Sequence, residues 1–306
     1  MVSFTRKFTF DLPYNIRITE GQVTKDIVIP LTDPAGRMII HPPRTHEKRY
    51  VYESPEKKIW VADTIVIDVE IEADSDIPLD DLETISESVA EEYLTRFLRY
   101  CRCETKQPHI DLKQEPVCHV TYVDESGLEV TEGYMRLSVT LGERTSLDDQ
   151  SWNTVSQCIM KNTQIPFYEE ALLDAKLYRS YNDYRMAVVT AAMGVEAVMN
   201  SYLGKTLRQR LVNTGRVTKS QVDKFIDEIS NRLLITVGLG LTSIVDKQVL
   251  DDCRNTMRLR NHILHGKKKS VSSEDARKAI GSLEQLISAK DILDVLGKGE
   301  HNSEKS

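Results

Sequence analysis

"RLRNHILHGKKK" spans Arg258–Lys269. Five of its twelve residues are Arg or Lys, two are His and none is acidic, in a chain whose net charge is −7. The segment closes a helix expected over Lys247–His265, whose apolar stripe is Leu250, Cys253, Met257 and Leu264. Counted from Cys253 the stripe runs i, i+4, i+11, and the missing i+7 member is Arg260. A guanidinium stands where the pattern asks for Leu. An unpaired buried charge is expensive, so Arg260 either meets a buried acid or lines a cleft. Glu196 poses the converse problem, because it lies inside "AVVTAAMGVEAVMNSYLG" (Ala187–Gly204), the most apolar helix of the chain. An Arg260–Glu196 pair between adjacent helices resolves both anomalies. The alternative leaves both residues at solvent-exposed helix edges.

His265 comes at the end of this helix and is followed by Gly266, the residue type that accepts the positive φ common just past a helix terminus. The helix dipole favours a protonated imidazole there, while Lys267, Lys268 and Lys269 push the other way. An imidazole able to titrate near neutral pH, set beside a guanidinium and several ammoniums, suits a phosphodiester. Arg grips the phosphate and His moves a proton. The lysines also have a plainer role, since cations near a helix C-terminus stabilise it by about 0.3–1 kcal/mol each. His262 lies three residues before His265 on the same side of the helix and is a candidate supporting group, although such a His is more often a solvated surface residue.

"RNHILHG" resembles the signature of HEPN domains, R-x4-6-H with a polar residue, often Asn, after the Arg. Here those positions are Arg260, Asn261 and His265. The apolar helix with its embedded Glu196 is similar to one found in many HEPN domains. The resemblance covers roughly Ser146 to Gly297 and leaves out the N-terminal part. Arg258 with His265, and Arg102 with His109, meet the same bare spacing, but the latter pair crosses Pro108 and leaves its helix. The resemblance implies an RNA-cutting enzyme, a metal-independent endoribonuclease that needs no cofactor, acting as a homodimer whose two motifs face one cleft. In that reading His265 assists transfer of the 2′-OH proton or protonates the leaving oxygen. Arg260 stabilises charge on the phosphate, and Asn261 orients one of the two. Lys267, Lys268 and Lys269 hold the RNA backbone with salt-sensitive affinity. Geometry agrees with dimerisation: five residues apart on an ideal helix is about 140°, so two symmetry-related helices surround one phosphate better than one helix can. Other HEPN domains bind RNA or nucleotides, or only dimerise, and this is the alternative function. A third reading makes the chain a structural protein in which Arg260 only satisfies Glu196.

Working outward, the region around the motif reads as helical from about Gly142–Ser151 onward. Helices are expected over Phe167–Tyr181, Asp183–Leu203 (a buried central helix), Gln221–Leu234, Lys247–His265 and Ser272–Ile287. Ser272 with Asp275 resembles a capping box. The N-terminal part reads instead as strands: "TRKFTFDL", "KDIVIPL", "GRMIIH" and "WVADTIVIDVEIEA" (Trp60–Ala73), punctuated by Pro- and Gly-containing turns. One long helix interrupts them, with a stripe of Leu82, Ile85, Val89, Tyr93, Phe97 and Cys101. Three segments after it read as a β-meander. The fold class is therefore α+β. A mainly β domain with one helix occupies residues 1–145, an all-α bundle 146–298 and a disordered tail 299–306. A sensor or inhibitor role, with an unknown ligand or partner, suits the first domain, and a toxin-like or antiviral-defence effector suits the whole.

At 306 residues with 40% hydrophobic and 28% charged residues, the composition is that of a globular protein, not a disordered one. The longest apolar-rich run, Ala187–Met199, is too short for a bilayer and carries Glu196. A soluble, cytoplasmic protein without a membrane partner is expected. Five cysteines without framework spacing fit a reducing compartment. Cys101, Cys103, His109, Cys118 and His119 lack the usual zinc spacing, and the one H-x3-5-H-like pair, His41 with His46, lies far from them. No metal is expected.

Overall fold

The computed structural model describes residues 2–19, 23–44, 50–54, 57–73, 77–110, 117–123, 129–131, 146–213, 218, 220, 247–268 and 270–303. The chain divides into two compact units, Met1–Gln164 and Ile165–Ser306. The architecture is mixed α+β, with an N-terminal antiparallel sheet and helices.

Among the described residues of the first unit, seven strands form one sheet: β1 (Val2–Thr19), β2 (Ile27–Thr32), β3 (Ala35–Ile40), β4 (Tyr50–Ser54), β5 (Lys57–Ala73), β6 (Val117–Val123) and β7 (Glu129–Thr131). Their order is β2-β3-β5-β1-β6-β7, with β4 also on β5. Period-two alternation puts Phe8 and Phe10 of β1 opposite Ile67 and Ile65 of β5, and Met38 and Ile40 of β3 opposite Val69 and Ile67. All of these are buried, so one sheet face forms the core. Prolines fall where a missing N–H is tolerated. Pro30 is on the edge strand β2, and Pro13 sits within the register shift between Asp11 and Ile16. His41, just past β3, places Nδ1 2.9 Å from Asp26 and Nε2 2.8 Å from Asp68. His46 lies outside the described residues.

Helix α1 (Leu79–Glu104) covers the core face, and Arg6, which shares that face with Phe8, reaches Glu83 of α1 at 3.3 Å. Its buried line differs from the expected one. Leu82, Phe97 and Cys101 are buried, but Ser86, Ala90 and Leu94 take the place of Ile85, Val89 and Tyr93, which are half-buried. Ser86 and Ala90 are small, so the buried line of the helix is not its bulkiest one.

Helix α2 (Asp149–Met160) begins at Asp148, whose side chain accepts from the Ser151 N–H. It moves the expected division at 145/146 to 164/165. Trp152 packs edge-on against Phe97 of α1 and donates from its indole to the Lys25 carbonyl at 2.9 Å. Leu147 exchanges backbone hydrogen bonds with β1, at 2.8 Å from Thr19 and 2.7 Å to Arg17. These contacts make α2 part of the sheet unit.

The second unit contains α3 (Phe167–Ser180), α4 (Tyr184–Asn213), α5 (Lys247–Leu264) and α6 (Ser273–Ser303). Helix α4 contributes Ala187, Val188, Ala191, Ala192, Val195 and Val198 to a core completed by α3, α5 and α6. Gly194 is where it meets α6, since a Cβ there would lie 2.5 Å from the Leu283 side chain. Helix α4 is not buried all round: Met186 and Met193 are about two-fifths exposed. The helix expected over Gln221–Leu234 lies outside the described residues. The tail expected to be disordered from 299 is helical through Ser303, because extending a helix already anchored by packing needs no new nucleus. Among the described residues no helix is long and apolar enough to cross a membrane.

Candidate functional site

Helix α5 carries the motif, and its burial follows from the stripe with one change. Leu250, Cys253, Met257 and Ile263 face the core, while Leu264, expected there, is exposed. The helix ends at Leu264, and its final turn places Ile263 inward. Burial pushes the Cys253 thiol up to about 12, so it serves as a small apolar side chain.

The i+7 gap is filled as the sequence suggests. Arg260 Nη2 lies 3.5 Å from Glu196 Oε2 on α4, with about a quarter of each side chain exposed. Arg260 Nη1 donates to Asn261 Oδ1, also at 3.5 Å. Arg260 Nε is buried and, among the described residues, has no hydrogen-bond partner. Tight guanidinium–carboxylate pairs sit at about 2.7–2.9 Å. Arg260 is therefore held loosely by an acid and an amide, with unused donor capacity.

The end of α5 is closed by a complete Schellman motif. Gly266 has φ +67°, and a Cβ there would touch nothing, so conformation and not crowding selects glycine. The Lys267 N–H donates to the His262 carbonyl at 2.8 Å and the Gly266 N–H to Ile263 at 3.1 Å. The His265 N–H donates to the Asn261 carbonyl at 3.0 Å, which fixes the backbone of the imidazole relative to the motif. His265 itself is exposed and His262 half-buried, and among the described residues neither imidazole makes a hydrogen bond.

The loop after the motif is tied down from the other side. Ser272 and Asp275 form the expected capping box: Ser272 Oγ accepts from the Asp275 N–H at 3.1 Å, and Asp275 Oδ2 accepts from the Ser272 N–H at 3.0 Å. The same Oδ2 takes a hydrogen bond from Lys268 Nζ at 2.8 Å. Lys268 first, and the Ser272 N–H second, hold the Asp275 carboxyl below its usual range.

The structure thus brings together Glu196, Arg260 and Asn261, and sets His265 and Lys267 at the exposed helix end. Lys268, read as an RNA-binding lysine, is engaged by Asp275, and Lys269 lies outside the described residues. The second role of Asp275 was missed, since its only sequence signal is the capping box. In the first unit Cys101 and Cys103 are buried on α1, and burial raises the Cys101 thiol well above its usual range. Chemically, the site offers an underused guanidinium, an amide, an exposed imidazole and an exposed ammonium at one helix end. No protein-family model, curated protein or solved structure matches the chain.

Proposed function

We propose that the chain is a metal-independent endoribonuclease of HEPN type, with Arg260, Asn261 and His265 as its catalytic set and the β-rich unit as a sensor or inhibitor, in the manner of a toxin-like or antiviral-defence effector. The observation that carries this reading is the loose hold on Arg260: among the described residues it has two contacts at 3.5 Å and a buried Nε without a partner. A phosphate oxygen offers that guanidinium shorter, charge-assisted bonds than Glu196 or Asn261 does. The exposed His265 suits proton transfer between RNA oxygens. The 2′-oxygen attacks phosphorus, its proton passes to a base, the 5′-oxygen leaves with a proton, and a 2′,3′-cyclic phosphate remains. Association into a homodimer is supported by exposed apolar side chains one turn from the pair: Met193 precedes Glu196 by three residues and Leu264 follows Arg260 by four, at 40% and 58% exposure.

The test is cleavage of labelled structured and unstructured RNAs with EDTA present. Wild type should cut and leave cyclic phosphate ends. His265→Ala and Arg260→Ala should each lose at least about a hundredfold in rate, the size of a lost transition-state contact. His265→Ala should leave thermal unfolding little changed, whereas Arg260→Ala also leaves Glu196 without its guanidinium and should lower it. One observation favours the alternative, a non-catalytic RNA- or nucleotide-binding and dimerisation module: the Glu196 side chain already stands 3.5 Å from the phosphate-binding Arg260. RNA binding without cutting, by all three proteins, would select that module.

A further inference from the structure

Helix α5 has a second face that the motif does not use. Between α5 and α6 lies a cleft of about 510 Å³ running from Gln248 to Leu259, about 16 Å along the helix. Its floor is Leu259, Ala279, Gly281 and the mutually hydrogen-bonded hydroxyls of Thr256 and Ser282, 3.0 Å apart. Glycine inside a helix costs roughly 0.5–1 kcal/mol relative to alanine. At Gly194 packing accounts for it. At Gly281 nothing among the described residues does, because an added Cβ would meet none of their atoms within 4 Å. What Gly281 provides is depth to the cleft.

Resting on the ribonuclease reading, we propose that this cleft is an exosite for an unpaired RNA base. Its charged lining balances, with Asp252 and Asp275 against Arg277 and Lys278. Asp275 is already bound to Lys268, and Arg277 to Glu274. The cleft therefore offers no net field for a phosphate. Its remaining polar groups are amides. Asn255 and Gln285 are exposed and make no hydrogen bond among the described residues, and each presents a paired donor and acceptor that matches the edge of a neutral heterocycle. Single-stranded RNA is read in this way, by its splayed bases. Continuity favours RNA over other neutral ligands. His262 follows Asn255 by two helical turns on the same face, so the face of α5 that lines the cleft continues to the helix end that bears Arg260, His265 and Lys267. A strand held at the motif extends along α5 and lays a neighbouring base in the cleft. A second copy of the chain fits less well, because interface cores are depleted of charge and this lining has four charged side chains.

The test uses the full chain and uncleavable 2′-O-methyl oligonucleotides of equal length, one of adenosines and one abasic. Wild type should bind the base-bearing strand about tenfold more tightly, the size of one good base contact. Gly281→Gln, which fills open space with a helix-favouring neutral side chain, should bind both strands equally, with abasic affinity and molecular mass unchanged. Gln285→Ala, which leaves the cleft open, should weaken the preference in part. If Gly281→Gln keeps the wild-type preference, the exosite is overturned and the ribonuclease reading stands. If it alters the oligomeric state and not RNA binding, the cleft is a contact between copies and the exosite is overturned. If wild type binds neither strand, the exosite falls together with the RNA reading.

Discussion

Asp275 holds the loop behind the motif through a single carboxylate oxygen, which accepts from the Lys268 ammonium and the Ser272 N–H together. Both contacts favour the ionised form, so the carboxyl titrates lower in the folded chain than in the unfolded one. For a lowered carboxyl the sign is fixed: its stabilisation is fully present above the unfolded pKa, about 3.9 for Asp, and is lost as pH falls through the folded value. Asp275→Asn keeps an acceptor for the cap and removes the charge. Its melting temperature should lie below wild type at neutral pH, and the gap should close below about pH 3.9. A gap that persists unchanged at low pH would mean the ion pair contributes nothing. Arg260 shows the opposite degree of legibility. A guanidinium in an apolar stripe and an acid in an apolar helix are both visible in sequence, and their mutual neutralisation is the cheapest way to bury either. The Lys268–Asp275 bond was not legible, because it depends on how a tight loop folds back between two helices.

Two glycines inside helices make the element scale testable. Gly194 of α4 faces Leu283 at 2.5 Å and Ala171 at 3.2 Å, whereas Gly281 of α6 faces open space. Alanine improves helix propensity at both by up to about 1 kcal/mol, but at Gly194 it must also displace packed neighbours, at about 1–3 kcal/mol. The same substitution should therefore have opposite signs: Gly194→Ala destabilising and Gly281→Ala stabilising by about 0.5–1 kcal/mol, both read from urea unfolding. Equal effects would show that α4 and α6 do not meet closely at Gly194. The elements themselves were largely legible where periodicity was strong, as in β5 and α3. The faces were less so. Reading bulk placed Ile85, Val89 and Tyr93 on the buried side of α1, whereas Ser86, Ala90 and Leu94 are the buried residues there, and two of these carry no bulk to mark them. Reading the i+11 position placed Leu264 inside, but the Schellman turn ends the helix there and Ile263 is buried instead.

Over the whole molecule, the change from β to α composition near residue 146 was legible, but the unit boundary was not. The boundary follows contacts, and α2 belongs to the sheet unit through Trp152 and Leu147, which no local pattern reveals. The same separation of composition from contact applies to assembly. The motif's Arg260 and exposed His265 lie on different sides of one helix end, so the proposed chemistry needs a second copy to complete the cleft. This yields a sharper expectation than a dimer's mass alone. Arg260→Ala and His265→Ala homodimers each lack one group entirely and should both be inactive. When the two variants are unfolded together, mixed and refolded, about half the dimers carry one of each chain. Those dimers retain one guanidinium and one imidazole in a shared cleft. The mixture should recover cutting well above the sum of its components, rising and falling with the heterodimer fraction measured by mass spectrometry. Heterodimers that form without any recovered cutting would mean that each chain must supply both groups to its own phosphate, and the shared cleft would be abandoned.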